Sequence, residues 1–298
     1  MRKIHPMIIG TIPSIIFGFS FMFTRITLEK ISDPFHLLGL RFGFAAIALT
    51  LCVALKFVRI DYRGKKVALL LILSSVQPIA YFIFETFGIA RSTASQAGVM
   101  IAFVPVAVSL LAMLFLKERT NNKQMLFIGL SILGVLVINS DVRFSSDNML
   151  GTLLLLGAVG SAAIYQILSR KYSTNFTPIE ITFVMMWVGA IVFNIIGMAR
   201  TLQYGGLGNY FAPLMDLNIL GALLYLGVLS SVIAFFFMNF VLSKVQATKA
   251  AILANLTTVV AIFAGVFILH EPFNLIKLAG SIMILIGVYG TTKVKTKN

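Results

Sequence analysis

The chain has 298 residues, 59% of them hydrophobic and 11% charged, and its 24 Lys and Arg against 10 Asp and Glu leave a net charge of +14. A soluble domain carries about 25% charged residues, so this composition excludes an ordinary water-facing surface. The single cysteine, Cys52, excludes an intrachain disulfide and a cysteine-based metal cluster.

Weakly charged runs of about 17 to 25 residues, the length that crosses a bilayer as a helix, recur along the chain. The first, 7–28, contains Gly18, a small residue that permits close helix approach. With nine more runs behind it and no small-residue cleavage site, it is expected to be retained rather than removed as a signal peptide. The second, 35–55, carries Gly39 and Gly43 for the same purpose, and between them a full charge, Arg41. The third, 67–90, sets Gln77, Tyr81 and Glu85 at i, i+4 and i+8, on one helical face, with Pro78 as a kink. The fourth, 94–116, contains a second such proline, Pro105, and the fifth, 125–140, is short. For both prolines, gating is the alternative role.

A polar loop, 141–148, then separates a second set. Run 149–168 has Ser161 and Tyr165 as a shorter polar stripe beside Gln166; 179–198 holds Trp187; 217–242 holds Asn239; 247–269 holds Asn255; and 275–289 ends at Tyr289. Glu118 and Glu271 fall just past two of these runs and read as interfacial anchors. Leu, Ile, Ala and Phe fill the runs without alternation, which predicts helices rather than barrel strands of about half the length.

Ten crossings put seventeen of the Lys and Arg, including those of the 56–66 loop and both termini, on one side and six on the other. That bias predicts a multi-pass protein of the cytoplasmic membrane with both termini cytoplasmic, and it assigns the positive charge to topology rather than to nucleic acid. The two sets also resemble each other. A shift of 141 places Gly10-Thr11 on Gly151-Thr152 and Ser20 on Ser161, while a shift of 153 places Phe82, Phe84 and Phe87 on Phe235, Phe237 and Phe240, Ala94 on Ala247, and Glu118 on Glu271. A duplicated unit with five crossings lies in opposite senses in its two copies. The expected fold is therefore an all-α polytopic membrane protein, ten transmembrane helices arranged as two inverted five-helix repeats, 1–146 and 147–298, around a central cavity. The first, third and fourth helices and their counterparts, the sixth, eighth and ninth, should line that cavity.

The segment Ile16-Phe17-Gly18-Phe19-Ser20-Phe21, followed by Leu40-Arg41-Phe42, resembles the first two helices of the EamA-type carriers of the drug/metabolite transporter superfamily. So does the run from Ala94-Ser95-Gln96-Ala97 through Pro105-Val106 to Phe115-Leu116-Lys117-Glu118-Arg119, with Gly129 and Gly134 beyond it. Its second copy reads Ala247-Thr248-Lys249-Ala250 to His270-Glu271-Pro272, then Gly280 and Gly287. The family usually has Trp where this chain has Phe17, and the second copy has Thr258 where the first has Pro105. The resemblance covers nearly the whole chain. It implies a ten-helix inverted repeat that exports or exchanges small metabolites such as amino acids.

Charged groups at membrane depth are costly, so Arg41 and Glu85 are candidates for function. Two readings are open: the two side chains pair with each other or reach the interface, or they border the cavity, with Arg41 holding an anionic group and Glu85 a proton or a cationic group. Gln77, Tyr81, Ser161, Tyr165, Asn239 and Asn255 are the further substrate-contact candidates, each with interhelical hydrogen bonding as its alternative. Gly18, Gly39, Gly43, Pro78 and Pro105 are assigned to packing or gating. The absence of a Gly-rich nucleotide loop and of paired-His or paired-carboxylate motifs in the spans argues against ATP use by this chain and against an enzyme. No cofactor or metal is implied. The expected partners are the lipid bilayer, a small-molecule substrate, and a proton or counter-substrate for coupling. A channel or noncatalytic scaffold is the alternative, although no selectivity-filter sequence occurs; the oligomeric state is open.

Overall fold

The computed structural model describes residues 6–116, 122–140, 146–203, 207–245, 247–251, 253–272 and 274–293. Among the described residues the chain is helical, without strands. Among these residues seven helices are long and apolar enough to cross a membrane: α1 (Thr11–Lys30), α2 (Pro34–Ala54), α3 (Ala68–Ala90), α4 (Ala94–Leu111), α5 (Met149–Tyr172), α6 (Pro178–Leu202) and α7 (Leu217–Lys244). Shorter apolar helices follow at Met125–Gly134, Leu256–Ile268 and Leu278–Gly287. Glu118 lies outside the described residues, and Asn255 sits on the helix Ala254–Phe263 with its side chain outside them.

The helix starts follow from local chemistry. Asp33 accepts from the Phe35 N–H with Pro34 at the first helical position, and Thr177 and Glu180 form a reciprocal capping box with Pro178 in the same place. Not every apolar run is one continuous α-helix. Helix α3 opens into a wide, π-type turn at Ser75–Ala80, where Gln77 leaves helical geometry (φ −147°, ψ 115°) ahead of Pro78. A second wide turn, Tyr225–Ala234, lies within α7, and a third, Ala264–Ile268, follows Ala254–Phe263. Helix α4 breaks after Ile101 and restarts at Val104, so Pro105 falls in the first turn of the new segment, where its missing N–H costs nothing.

The most extensive packings join helices before residue 141 to helices after 146. Helix α2 lies on α6, Asn122–Ser140 on Leu275–Lys293, the second part of α3 on α5, and Ala254–Phe263 on both α1 and the start of α4. Small residues permit the closest of these. A Cβ added at Gly39 would come 3.1 Å from the Phe193 carbonyl oxygen, and one at Gly197 2.9 Å from that of Phe35, so α2 and α6 touch backbone to backbone. Gly18 plays the same part between α1 and Ala254–Phe263, where a Cβ would meet Val260 and the Thr257 carbonyl.

The α2–α6 pair is tied at both ends. Arg200 Nε donates to Asp33 Oδ2 at 2.7 Å at one, while at the other Lys65 Nζ reaches both carboxylate oxygens of Glu180 at 2.7 and 2.8 Å. Tyr62 of the same loop donates to the Glu180 carbonyl at 2.9 Å. Burial, and then the Glu180 carboxylate, push the Tyr62 phenol above its usual value, which keeps it a donor. Outward faces carry Leu51, Leu71, Leu153, Ile195 and Ile286, all exposed and apolar. That is the surface a hydrocarbon solvent requires.

Candidate functional site

The wide turns position the charged residues. Ser230 and Ser231 sit in the wide turn of α7, and the loosened helix turns both hydroxyls toward α2. Arg41 Nε donates to Ser231 Oγ at 3.0 Å and Nη2 to Ser230 Oγ at 2.9 Å, while the guanidinium lies 4.3 Å from the Phe82 ring centroid. The third nitrogen, Nη1, has no hydrogen-bond partner and stands 4.0 Å from Glu85 Oε2.

Glu85 mirrors this arrangement. Its Oε1 accepts from the Tyr81 hydroxyl at 3.3 Å, and its Oε2 is buried without a hydrogen bond. Arg41 is 1% exposed and Glu85 2%, so neither can turn to water. Each charged group is thus anchored by one part and free at another, and the free atoms face each other across a gap too long for a good hydrogen bond.

Arg41 and Glu85 belong to the wall of a cavity with about 660 Å³ of atom-free space, including its open mouth. Its wall combines Arg41, Gln77, Tyr81, Glu85, Tyr165 and Gln166 with the rings of Phe17, Phe21, Phe82 and Phe235. Few polar groups in a mostly apolar wall is the usual make-up of a small-molecule site. Gln166 Oε1 is a further buried acceptor without a partner. The cavity draws on α1, α2, α3, α4, α5, α7 and the helix Ala254–Phe263.

Not every candidate from the sequence stands on this wall. Asn239 is fully buried behind it: its Oδ1 accepts from the hydroxyls of Tyr165 (2.5 Å) and Ser169 (2.8 Å), and its Nδ2 donates to Thr182 at 3.0 Å. It therefore ties α7 to α5 and α6 and holds Tyr165 in place. Ser161 is buried outside the lining set. Gly39 and Gly43 lie at the α2–α6 contact, and Pro78 packs beside α6, where a Cβ on Gly189 would meet it at 3.0 Å. Glu271, read from the sequence as an interfacial anchor, accepts from the backbone N–H groups of Ala94 (2.7 Å) and Ser95 (2.9 Å) at the start of α4.

Sequence reading passed over the two serines that hold Arg41. A signal existed: the shift of 153 places Ser230-Ser231 on Gln77-Pro78, so the same positions of the two copies carry the polar break.

The profile of the EamA-like transporter family matches residues 6–140 and matches again at 149–293. The chain is 36% identical over 280 residues to the uncharacterized transporter YcxC of Bacillus subtilis, covering 93% of this chain and 89% of that protein. It is 27% identical to an uncharacterized transporter of Archaeoglobus fulgidus, covering 91% and 93% of the two chains. Identity is 25% to a protein of Escherichia coli named "Probable amino-acid metabolite efflux pump", with 92% and 90% covered. One solved crystal structure superposes with a TM-score of 0.60 at 13% identity over 94% of this chain and 98% of that one, a likeness of fold alone.

Proposed function

Because the chain belongs to the EamA-like transporter family, we propose that it is a secondary transporter of the cytoplasmic membrane that exports or exchanges small metabolites of the amino-acid type by alternating access. One observation carries the substrate class: Arg41 and Glu85 line the cavity, and their Nη1 and Oε2 are buried, lack hydrogen bonds and stand 4.0 Å apart. A ligand bearing a carboxylate and an ammonium on neighbouring atoms supplies the partner each lacks, and it replaces a poor ion pair with two good charge-assisted hydrogen bonds. The aromatic wall receives the rest of the molecule.

Two inverted five-helix repeats, 1–146 and 147–298, are the architecture that fits alternating access. The family profile's two successive matches and the packing of helices across the halves support it. Coupling to a proton or a counter-substrate supplies the driving force. The test is a thermal-shift series on purified protein with an amino acid, the corresponding amine without the carboxylate, and the corresponding acid without the ammonium. Ligand at about a hundred times its Kd stabilises by about 2.7 kcal/mol. Stabilisation by the amino acid alone supports the dipolar site, and equal stabilisation by the amine or the acid overturns it. Saturable flux of the stabilising compound into liposomes separates a carrier from a channel.

A further inference from the structure

The cavity wall includes the place where α4 and the helix Ala254–Phe263 meet. Ile101 of α4 and Thr257 of the helix Ala254–Phe263 belong to this wall, and directly beyond them the same two helices close on each other. Thr258 Oγ1 donates to the Gly98 carbonyl at 2.8 Å. A Cβ on Gly98 would strike that of Ala261, and one on Gly265 would strike both Ser95 Oγ and Glu271 Oε2. The contact that Gly98 and Gly265 permit ends at Glu271, whose two oxygens take the N–H groups of Ala94 and Ser95. A carboxylate suits this place, because the first N–H groups of a helix lack partners within it and carry partial positive charge.

We propose that Glu271 is the latch of a gate formed by Ala94–Ile101 and Leu256–Ile268, which closes the cavity at the end carrying the 91–93 and 269–272 connections. The latch has the features a reversible closure needs. Its bonds run from a side chain of the second half to the backbone of the first, 176 and 177 residues away, and neither helix depends on them for its own hydrogen bonding. The start of α4 keeps its own cap, since Thr93 accepts from the Gln96 N–H, so releasing Glu271 leaves the helix intact. The neighbouring turn is held from its own half, where Arg25 Nη1 donates to the carbonyls of Ile89 and Ser92, and it does not have to move with the latch. Gly265 is the seat: with no side chain it lets the carboxylate lie against the helix, and any Cβ there pushes it off.

The gate rests on the alternating-access reading, but its test follows helix separation rather than substrate, so the two can fail separately. Spin labels at Ala90 and Leu275, both exposed, on a Cys52→Ser background in lipid nanodiscs report the distance between the two turns. Loss of the charge-assisted contacts predicts about a tenfold shift toward the longer-distance population in Glu271→Ala and a smaller one in Glu271→Gln, whose amide oxygen still accepts one bond. Gly265→Ala, which displaces the carboxylate without removing it, should shift the population the same way. Unchanged distances in folded Glu271→Ala and Gly265→Ala protein would overturn the gate, and so would unfolding of both variants with no longer-distance population in Glu271→Gln, which marks a static tie.

Discussion

At the scale of single residues, the contrast between Arg41 and Asn239 separates recognition from support. Every polar atom of the Asn239 amide that points into the protein is taken, by Tyr165, Ser169 and Thr182, whereas Arg41 and Glu85 each keep one free. Their substitutions should therefore differ in kind. Asn239→Leu removes the partner that Tyr165, Ser169 and Thr182 share and should lower stability by about 1–3 kcal/mol, read in a chemical or thermal melt. Arg41→Ala should weaken binding of carboxylate-bearing cargo more than of cationic cargo, measured by the same thermal-shift series. Glu85→Gln should flatten the pH dependence of flux in liposomes while the protein stays folded, because Glu85 is the carboxylate among the cavity-lining residues named here. Wild-type rates and pH profiles in both variants would leave only a structural ion pair.

At the scale of elements, the helices meet through positions chosen for the absence of a side chain, and the two glycines of α2 provide an internal comparison. Around Gly39 a new methyl would press on the Phe193 carbonyl at 3.1 Å and the Asn194 Cα at 3.3 Å, both backbone atoms of α6, and also on the Tyr210 hydroxyl. Around Gly43 the nearest atom is an Asn194 side-chain nitrogen at 3.6 Å, an ordinary contact. Gly39→Ala should destabilise by about 1–3 kcal/mol, the usual cost of overpacking, while Gly43→Ala should be nearly neutral or slightly stabilising through its better helix propensity. Equal melting temperatures for the two variants would mean that the α2–α6 contact is looser than its geometry indicates. The wide turns in α3 and α7 belong to this scale too, since they aim Gln77, Ser230 and Ser231 inward without ending the helix.

At the scale of the whole molecule, the two ends of the bundle differ in charge. The loop 55–67, rich in Lys and Arg, is clamped to the start of α6 by Lys65 and Tyr62, and the opposite end is tied by Asp33 and Arg200. From the positive-inside rule we propose that the first of these ends faces the cytoplasm. A cysteine introduced at Arg59 or Arg63, both exposed, should react with a membrane-impermeant maleimide only after cells are opened. Labelling of intact cells would invert this topology.

Hydropathy by itself determined that the chain is helical and lives in lipid, because apolar runs of bilayer length leave a backbone no other way to satisfy its hydrogen bonds. The 153-residue shift made the kinship of the halves readable, and the spacing of Gln77, Tyr81 and Glu85 made the cavity face of α3 readable, since both are periodicities along the chain. The partners across the bundle were not legible. Ser231 stands 190 residues from Arg41, and Glu271 stands 177 from Ala94. No local pattern encodes contacts of that separation. Only the tertiary structure decided that Asn239 supports the wall rather than lining it, that two serines leave Arg41 one free nitrogen, and that Glu271 reaches the start of α4: which polar group satisfies which is settled when helices distant in sequence pack against one another.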